Sequence, residues 1–392
     1  MANFFGNVIK SMEIERYICN AQGRKIIIWG AGGEGEKLSN ILIEKGHEIY
    51  SFVDKKAEGQ EYKFNEKDVF KPEILISNSR DFFVFVAGDY KDEIELFLTE
   101  NNYEEVEDYL YIIHKSTSVL KDGEYTDIYG NNIKAPKGTK FKFLGYNSTI
   151  NIKTELSSKV EISCTGSSIN IGSNCNIGEQ ITINCIDDSS IDIGEACLIG
   201  DKVTITCTEG SHLNLTSPCK IREKSIVGCI ERSSIDIGQK CSFSENSSFF
   251  AKKDSSISIG KGSHGGPDFV CVSSYGGKIK IGDDCMISTY VVVMANDGHP
   301  IFDVKTGKHI NGGQDITIGE HVWFGIKCTV LSNSEIGDGS IIGANSVVTK
   351  KFTNNCVVAG NPARLVRKDV AWDREEANSD LVDKSLYWNE TH

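Results

Sequence analysis

The residues best suited to chemistry lie in one short segment, in which Asp297, Gly298, His299 and Pro300 are followed by Asp303. Histidine can accept a proton at neutral pH because its unperturbed pKa is about 6.5. A carboxylate that accepts the second imidazole N–H would fix the tautomer, and both aspartates are close enough in sequence for this role. We therefore predict that His299 is a general base oriented by Asp297 or Asp303. A loop histidine without function is the alternative.

This segment interrupts a repeat, which predicts a catalytic loop at 296–315. Upstream, six consecutive 22-residue units such as SSIDIGEACLIGDKVTITCTEG run from Ser167 to Gly298. Downstream, large apolar residues recur every six residues from Ile318 to Val348, and a smaller residue follows four positions after each of the first five. Six residues with one large and one small inward side chain are typical of a short strand and a corner, and three such sides would close a coil of about 18 residues. We expect each longer unit to be one coil with about four residues bulging at a corner.

Most of the 13 cysteines follow the same periods, and no C-x-x-C pair occurs. We predict two ladders of small buried thiols instead of disulfides or metal ligands. The first ladder is Cys175, Cys197, Cys219, Cys241 and Cys285, and the second is Cys185, Cys207 and Cys229. His299, His309 and His321 could in principle bind zinc, but they are too widely spaced in the sequence to form a clustered ligand set. No metal is expected.

A glycine-rich segment near the N-terminus forms a second motif. RKIIIWGAGGEGEKLSNILIEKGHEIYSFVD predicts a strand, a glycine turn, a helix and another strand. Gly30, Gly32 and Gly35 form G-x-G-x-x-G in this context, with Asp54 about 20 residues further on. The pattern predicts a Rossmann-like, nucleotide-binding-type domain at 23–112. A bound nucleotide or nucleotide-sugar, NAD(P), and a docking or vestigial fold that keeps the glycines for the turn remain open.

Composition limits the other possibilities. The net charge of −13 argues against nucleic acid or an anionic membrane surface as the main partner. No run of 18 apolar residues and no secretory signal is present, so we expect no integral membrane segment and a cytoplasmic protein. The remaining predicted segments are an N-terminal helix at 1–22, a connector at 113–147, a solenoid at 148–368 and a C-terminal tail at 369–392.

The hexads, with DGHPIFDVKTGKHINGGQDITIGEHVWFG and IGANSVVTKKFTNNCVVAGNPARLVR, resemble the hexapeptide-repeat acyltransferases, especially those that O-acetylate bacterial capsule and surface polysaccharides. The resemblance implies a left-handed parallel β-helix, acetyl-CoA as co-substrate, a saccharide acceptor, and a homotrimer with active sites between subunits. It also implies that His299 is catalytic and that Trp323 lines the acetyl-CoA tunnel. Gly325 and Ala344 would contact the pantetheine arm. The residues implied to meet the CoA phosphates are Lys350, Lys351, Arg364 and Arg367.

Charge supports a polyanionic cofactor independently of this resemblance. Residues 339–368 contain five basic residues and no acid, in a chain that is otherwise acidic. A solvated basic tail is the alternative, as a core aromatic is for Trp323. The segment VCVSSYGGK before Ile281 lacks the Asn and Asp that maltose and galactoside acetyltransferases use, which argues against a small free sugar. We predict an acetyl-CoA-dependent polysaccharide O-acetyltransferase; N-acetylation of a nucleotide-linked amino sugar and a non-catalytic glycan-binding scaffold are the alternatives.

Overall fold

The computed structural model describes residues 21, 23–44, 46–57, 63–76, 81–87, 91–104, 107–111, 117–119, 123–127, 130–145, 147–374 and 386–392. The predicted N-terminal helix therefore lies outside the described residues, apart from Ala21. The chain divides into two compact units, Met1–Ser116 and Thr117–His392. Among the described residues, no helix is long and apolar enough to cross a membrane.

The first unit contains a six-stranded sheet. Its strands, in their order across the sheet, are Lys63–Phe64, Lys67–Phe70, Ile49–Val53, Lys25–Trp29, Phe82–Val86 and Tyr109–Tyr111. Only the two-stranded edge hairpin is antiparallel. All five residues of Phe82–Val86 are buried, which is typical of a parallel strand covered on both faces. The described helices are Gly33–Glu44, Lys91–Glu100 and a 3₁₀-helix, Pro72–Leu75. A Rossmann-like assignment of this unit stays a prediction.

The second unit is a β-solenoid whose coil passes through three sheets in a fixed order. Sheet I contains Glu124–Thr126, Asn132–Lys134, Thr149–Ile152, Ser168–Ile171, Ser190–Ile193, His212–Leu215, Ser234–Ile237, Ser256–Ile259, Lys278–Ile281, Ile316–Ile318, Glu335–Ile336 and Lys351–Phe352. Sheet II contains Asn176–Ile177, Leu198–Ile199, Lys220–Ile221, Ser242–Phe243, His264–Gly265, Met286–Ile287, Trp323–Phe324, Ile341–Ile342, Val357–Ala359 and Arg364–Arg367. Sheet III contains Thr117–Ser118, Lys140–Leu144, Glu161–Thr165, Thr182–Ile186, Thr204–Cys207, Ile226–Ile230, Ser248–Lys252, Val270–Ser274, Val292–Met294, Thr329–Leu331 and Val347–Val348.

Successive coils pair in parallel, so the predicted parallel β-helix is confirmed, while its handedness stays a prediction. Antiparallel pairs occur in the described solenoid only at the ends, as where Arg364–Arg367 folds back on Val357–Ala359. Parallel pairing already begins at Asn132–Lys134, inside the segment predicted as a connector. We call the turns between successive sheets corners I–II, II–III and III–I.

The four extra residues of the longer coils lie in strands. Upstream register partners such as Ile193 and Leu215 are one full repeat unit apart, whereas the downstream partners Ile318 and Ile336 are only 18 apart. Strands of sheets I and III have four or five residues in the long coils before Val292–Met294 and two or three from that strand onward, whereas the sheet II strands keep two residues until Val357–Ala359. Adding two residues to a strand preserves the alternation of inward and outward side chains. The predicted corner bulge was therefore wrong.

The solenoid core confirms the predicted thiol ladders. Cys197, Cys219, Cys241 and Cys285 are each at most 1% exposed, as are all three members of the second ladder. Cys175, at the upstream end, is half-buried. Burial raises the pKa of the Cys197 and Cys241 thiols to about 11. Thiols held protonated in this way serve as small apolar side chains.

Candidate active site

The predicted catalytic loop, 296–315, is an insertion at corner III–I. It lies between the sheet III strand Val292–Met294 and the sheet I strand Ile316–Ile318. One coil earlier, the same corner needs only residues 275–277. Both flanking strands keep their places in the sheets. The loop is therefore tethered at both ends by stacked backbone, which suits a side chain that must be held in one place.

Both ends of the loop pack closely on the preceding corner. The backbone N–H of Ala295 donates to the carbonyl oxygen of Val272 at 3.0 Å. A Cβ placed on Gly313 would collide with the carbonyl oxygen of Tyr275 and would lie 2.5 Å from the backbone nitrogen of Gly277. Only glycine lets the returning chain approach this closely. The position of the loop is thus set by the coil before it.

Asn311 clamps the His299 segment from the other side of the loop. Its Nδ2 donates to Oδ2 of Asp297 and to the carbonyl oxygen of His299, both at 2.8 Å. Its Oδ1 accepts from the backbone N–H of Ile301. One amide therefore restrains the backbone on both sides of the histidine. Sequence reasoning missed Asn311, because an asparagine before Gly312 and Gly313 indicates only a turn.

The His299 side chain is exposed on this restrained backbone. The structure gives Asp303 a role in its own turn: Oδ1 accepts from the backbone N–H groups of Lys305 and Thr306, at 3.1 and 2.7 Å, and from Thr306 Oγ1 at 2.8 Å. The Thr306 hydrogen bonds lower the pKa of Asp303. Within this fully described loop, neither Asp297 nor Asp303 hydrogen-bonds to the His299 ring. Asp297, which shares the Asn311 amide with His299, is the better placed of the two.

Most of the predicted cofactor residues lie on another side of the coil. Trp323 is in sheet II with its side chain partly exposed, at 36%. Gly325 and Ala344 occupy corner II–III in successive coils, where a Cβ on Gly325 would lie 2.5 Å from the Ala344 nitrogen. Arg364 and Arg367 belong to the last strand of sheet II, which is exposed throughout. These five residues therefore share sheet II and its neighbouring corner.

The two predicted lysines lie apart from that group. Lys350 precedes, and Lys351 begins, the last sheet I strand, next to corner III–I. Lys351 Nζ is 3.0 Å from Glu335 Oε2, and Lys350 Nζ is 5.4 Å from the centroid of the Phe352 ring. In a three-sided coil, corner III–I is opposite sheet II. Within one chain, the loop that carries His299 therefore leaves the coil, as the lysines do, at the corner opposite the sheet that holds Trp323.

His321, at corner I–II, is a buried residue that joins the C-terminal tail to the solenoid. Its ring stacks between Trp372 and Tyr387, with centroid distances of 4.0 and 4.5 Å. Nδ1 lies 2.6 Å from Oδ2 of Asp284, and Nε2 lies 3.0 Å from the Trp372 carbonyl oxygen. Each ring nitrogen therefore faces an oxygen that can accept a hydrogen bond, one on the carboxylate and one on the backbone. Arg374 Nε also donates to Asp284, at 2.8 Å.

The tail was left without a role by sequence reasoning, because its partners are distant in the chain. Trp372 lies beside the predicted cofactor residue Trp323, with ring centroids 6.1 Å apart. His299 and His309 are on the catalytic loop, where His309 pairs with Phe302, whereas His321 is in this tail cluster. Within the described part of the chain, no group of three or more His, Cys, Asp or Glu residues could hold a metal ion.

The N-terminal glycines serve the turn itself. Gly30 has a φ of +126°, and a Cβ on Gly35 would collide with the Gly30 carbonyl oxygen, whereas Gly32 faces open space. The Asp54 carboxylate accepts a hydrogen bond from the backbone N–H of Ala31 at 3.1 Å. The carboxylate thus binds an amide of the glycine turn. This favours the interpretation in which the glycines are kept for the turn, and nucleotide binding stays a prediction.

Comparisons with known proteins agree with the repeat. Residues 315–350 match the bacterial transferase hexapeptide family (six repeats), and residues 22–107 match the C2185-like N-terminal family. A polysialic acid O-acetyltransferase of Escherichia coli O1:K1 is 39% identical over 98 residues, 25% of this chain and 32% of the relative. A polysialic acid O-acetyltransferase of Neisseria meningitidis is 30% identical over 108 residues, 27% of this chain and 50% of the relative. Galactoside O-acetyltransferase of E. coli K12 is 37% identical over 90 residues, 23% of this chain and 44% of the relative.

Two solved structures are also similar. The polySia-specific acetyltransferase NeuO is 25% identical, with a TM-score of 0.42, over 57% of this chain and 91% of that chain. The polysialic acid O-acetyltransferase OatWY is 25% identical, with a TM-score of 0.39, over 59% and 90%. This chain spans half or less of the length of the three curated relatives above. It carries the hexapeptide repeat of bacterial transferases, as the sequence motifs predict, and acetyltransferases are among its relatives.

Proposed function

We propose that this protein transfers the acetyl group of acetyl-CoA to a sugar hydroxyl of a bacterial capsular or surface polysaccharide or its precursor, with His299 as the general base. One observation carries the proposal. The exposed His299 sits on a loop that Asn311 clamps and Gly313 packs against the rigid solenoid, directly before the matched hexapeptide segment. The names of the relatives support a saccharide hydroxyl as the acceptor.

The proposed reaction requires one proton carrier. An unprotonated imidazole nitrogen of His299 takes the proton of the acceptor hydroxyl as the oxygen attacks the thioester carbonyl carbon. Collapse of the tetrahedral intermediate breaks the carbon–sulfur bond, and the imidazolium returns the proton to the CoA sulfur. A positioned base of this kind contributes about 10²–10⁴ in rate. Asp297 and Asn311 would position His299 through the loop backbone, while Asp303 stabilises the turn at the loop tip.

We further propose that a second copy of the chain completes each site. His299 at corner III–I and Trp323 on sheet II lie on opposite sides of one coil, so the loop of one copy would face the cofactor residues of the next. An interface between two different sides of the same subunit generates a ring when the rotation between successive copies closes. The trimeric number comes from the family resemblance. The outer face of sheet III, with the half-buried Val270, Val272, Val292 and Met294, supports burial between copies.

The arrangement of basic residues favours one end of sheet II for the CoA phosphates. Arg364 and Arg367 are exposed on the same sheet as Trp323 and downstream of it. Lys351 is already paired with Glu335. A guanidinium also matches phosphate geometry better than an ammonium. The two arginines are therefore the principal phosphate ligands in this proposal, with Lys350 and Lys351 on the side of the catalytic loop.

The decisive experiment measures CoA released from acetyl-CoA by wild-type protein and His299→Ala, with a panel of capsular oligosaccharides. We expect acceptor-dependent release that falls about 10²–10⁴-fold in the variant. His309→Ala, on the same loop, is the matched control and should retain most of the activity. Full acceptor-dependent release by His299→Ala would contradict the assignment of the base. If acetyl-CoA fails to bind and no acceptor stimulates release, the proposed function is wrong.

A further inference from the structure

Tyr275 ends a column of five equivalent positions at corner III–I. Asp187, Glu209, Glu231, Lys253 and Tyr275 follow one another at intervals of one repeat unit. All five have left-handed backbone, with φ between 55° and 60°. The backbone is thus nearly the same at each position and only the side chain differs. Three acids are followed by a lysine, and then by a tyrosine in the coil that supports the catalytic loop.

In the coil that contains Tyr275, corner III–I also needs a different residue type for its backbone to pack. The third residue of corner III–I is a serine in the four preceding coils and Gly277 in this one. A Cβ on Gly277 would lie 3.1 Å from the Ala295 carbonyl oxygen, at the start of the loop, and Gly313 returns against Tyr275 itself. The departure from the repeat is therefore confined to the corner that touches the loop. Tyr275 stands next to both ends of that loop.

The Tyr275 ring is available to a ligand. It is 38% exposed although a bulky residue is disfavoured in left-handed backbone. Lys253 Nζ lies 4.3 Å from the ring centroid and donates to Tyr275 Oη at 3.1 Å. Among the described residues, Lys253 has no carboxylate partner, because the neighbouring Asp254 is held by Arg232 at 2.7 and 2.8 Å. An exposed aromatic ring therefore stands beside a cation that forms no salt bridge with a described carboxylate, and Glu231 in the coil before it interacts with this cation only at longer range.

We infer that Tyr275 and Lys253 form an acceptor subsite for an acidic sugar unit, an inference that rests on the proposed function. The aromatic ring packs against the C–H face of a pyranose, and the ammonium binds its carboxylate. Lys253 belongs to the coil before Tyr275 and the loop to the coil after it, so the sugar lies within the approach to His299. Glu231, one coil beyond Lys253, repels a further anionic unit. The subsite therefore accepts acidic sugar units only as far along the column as Lys253.

The test uses an oligosaccharide of sialic acid and the same oligosaccharide with its carboxyl groups reduced to alcohols. Tyr275→Gly removes the ring without strain, because glycine favours left-handed backbone. We expect it to raise the acceptor KM about tenfold, while Tyr275→Phe stays near wild type. Lys253→Gln should raise the acceptor KM about three- to tenfold for the acidic probe only, and less in high salt. The KM for acetyl-CoA should not change.

Lys202→Gln is the matched control, since it is also a corner lysine in left-handed backbone but at corner II–III; its acceptor KM should equal that of wild type. Calorimetric binding of the acidic probe to His299→Ala separates recognition from catalysis. Acetylation with an unchanged acceptor KM in both Tyr275→Gly and Lys253→Gln would overturn the subsite and leave the proposed function standing. Equal affinity for the acidic and reduced probes would also overturn it. Binding that Tyr275→Gly abolishes, without acetyl transfer by wild type, would support the subsite and refute the proposed function.

Discussion

Corner III–I is built in one way along the upstream coils and differently at the catalytic loop. Upstream, the backbone N–H of each corner serine donates to the serine hydroxyl of the coil before it, at 3.0–3.2 Å. This ladder runs from Ser167 to Ser255 and stops at Gly277, where the loop begins to pack. The same corner thus stabilises stacking where the repeat is kept and supports an exposed histidine where the repeat is broken.

The difference separates the residues that stabilise the fold from the residues that position the His299 loop. The upstream coils bury long strands, thiols and a phenylalanine cluster, and the strand pairing recurs with each repeat unit. The loop buries little and depends on single residues such as Asn311 and Gly313, which no repeat duplicates. We therefore expect upstream substitutions to change stability and loop substitutions to change activity.

Mixing two inactive variants tests whether the catalytic loop of one copy forms a site together with a second copy. His299→Ala should lower activity about 10²–10⁴-fold, and Trp323→Ala should lower it by weakening acetyl-CoA binding. If each site combines His299 of one copy with Trp323 of the next, random reassembly restores about a quarter of the sites. The measurement is acceptor-dependent CoA release after mixed refolding. Activity no higher than that of separately refolded variants would place both residues in one chain's site.

Phe249→Ala tests the upstream side. Phe249 is fully buried, and its ring centroid is 4.8 Å from that of Phe243 and 5.6 Å from that of Phe269. Truncation of such a side chain costs about 3–5 kcal/mol. We expect a clearly lower melting temperature in calorimetry, with kcat/KM per folded molecule close to wild type. Tyr290→Ala, which removes an exposed aromatic ring, is the stability control. A large loss of kcat with unchanged melting would contradict the division.

Asn311→Ala tests the loop side. Removing the clamp frees the backbone at Asp297 and His299, and a misplacement of about 1 Å in a catalytic group can cost about 10²-fold in rate. We expect kcat to fall about 10–100-fold while the melting temperature stays near that of wild type. Asn214→Ala removes the same type of side chain from an upstream coil, where Asn214 Nδ2 donates to Asp236 Oδ1 at 3.4 Å, and should leave kcat unchanged. Equal kcat for Asn311→Ala and wild type would show that the clamp does not position His299.

The comparison also explains what could be predicted from the sequence. Periodicity is a local signal, so the parallel coils and the buried thiols followed directly from the spacing of Ile and Cys residues. The prediction of a corner bulge was wrong because a period gives the number of residues in a coil but does not show whether the extra residues lengthen a strand. Asn311 and the His321–Trp372 pair were missed because their partners are set by the loop path and by a contact 51 residues away in the chain. Non-repeating contacts leave no period to detect.

The smallest expected effect concerns the acidic end of the same corner column. Burial, with smaller contributions from Glu209 and Asp188, raises the pKa of Asp187 from 3.8 to about 6. Its Oδ2 is buried without a described hydrogen-bond partner. Since the folded pKa is raised, the stabilisation from holding the proton is complete below pH 3.8 and is lost as pH rises through about 6.

Asp187→Asn mimics the protonated carboxyl and should remove this pH dependence. We expect it to stabilise the protein by about 1–2 kcal/mol above pH 7, after allowance for solvent screening, and to have little effect near pH 4. Thermal melting at both pH values measures the difference. Asp188→Asn, at an exposed neighbour, should give a smaller gain. An equal gain from Asp187→Asn at both pH values would mean that packing, not ionisation, limits stability here. Ionisation of the acids in this column would then have no effect on stability. The replacement of acids by Lys253 and Tyr275 beside the loop would then remove no electrostatic repulsion.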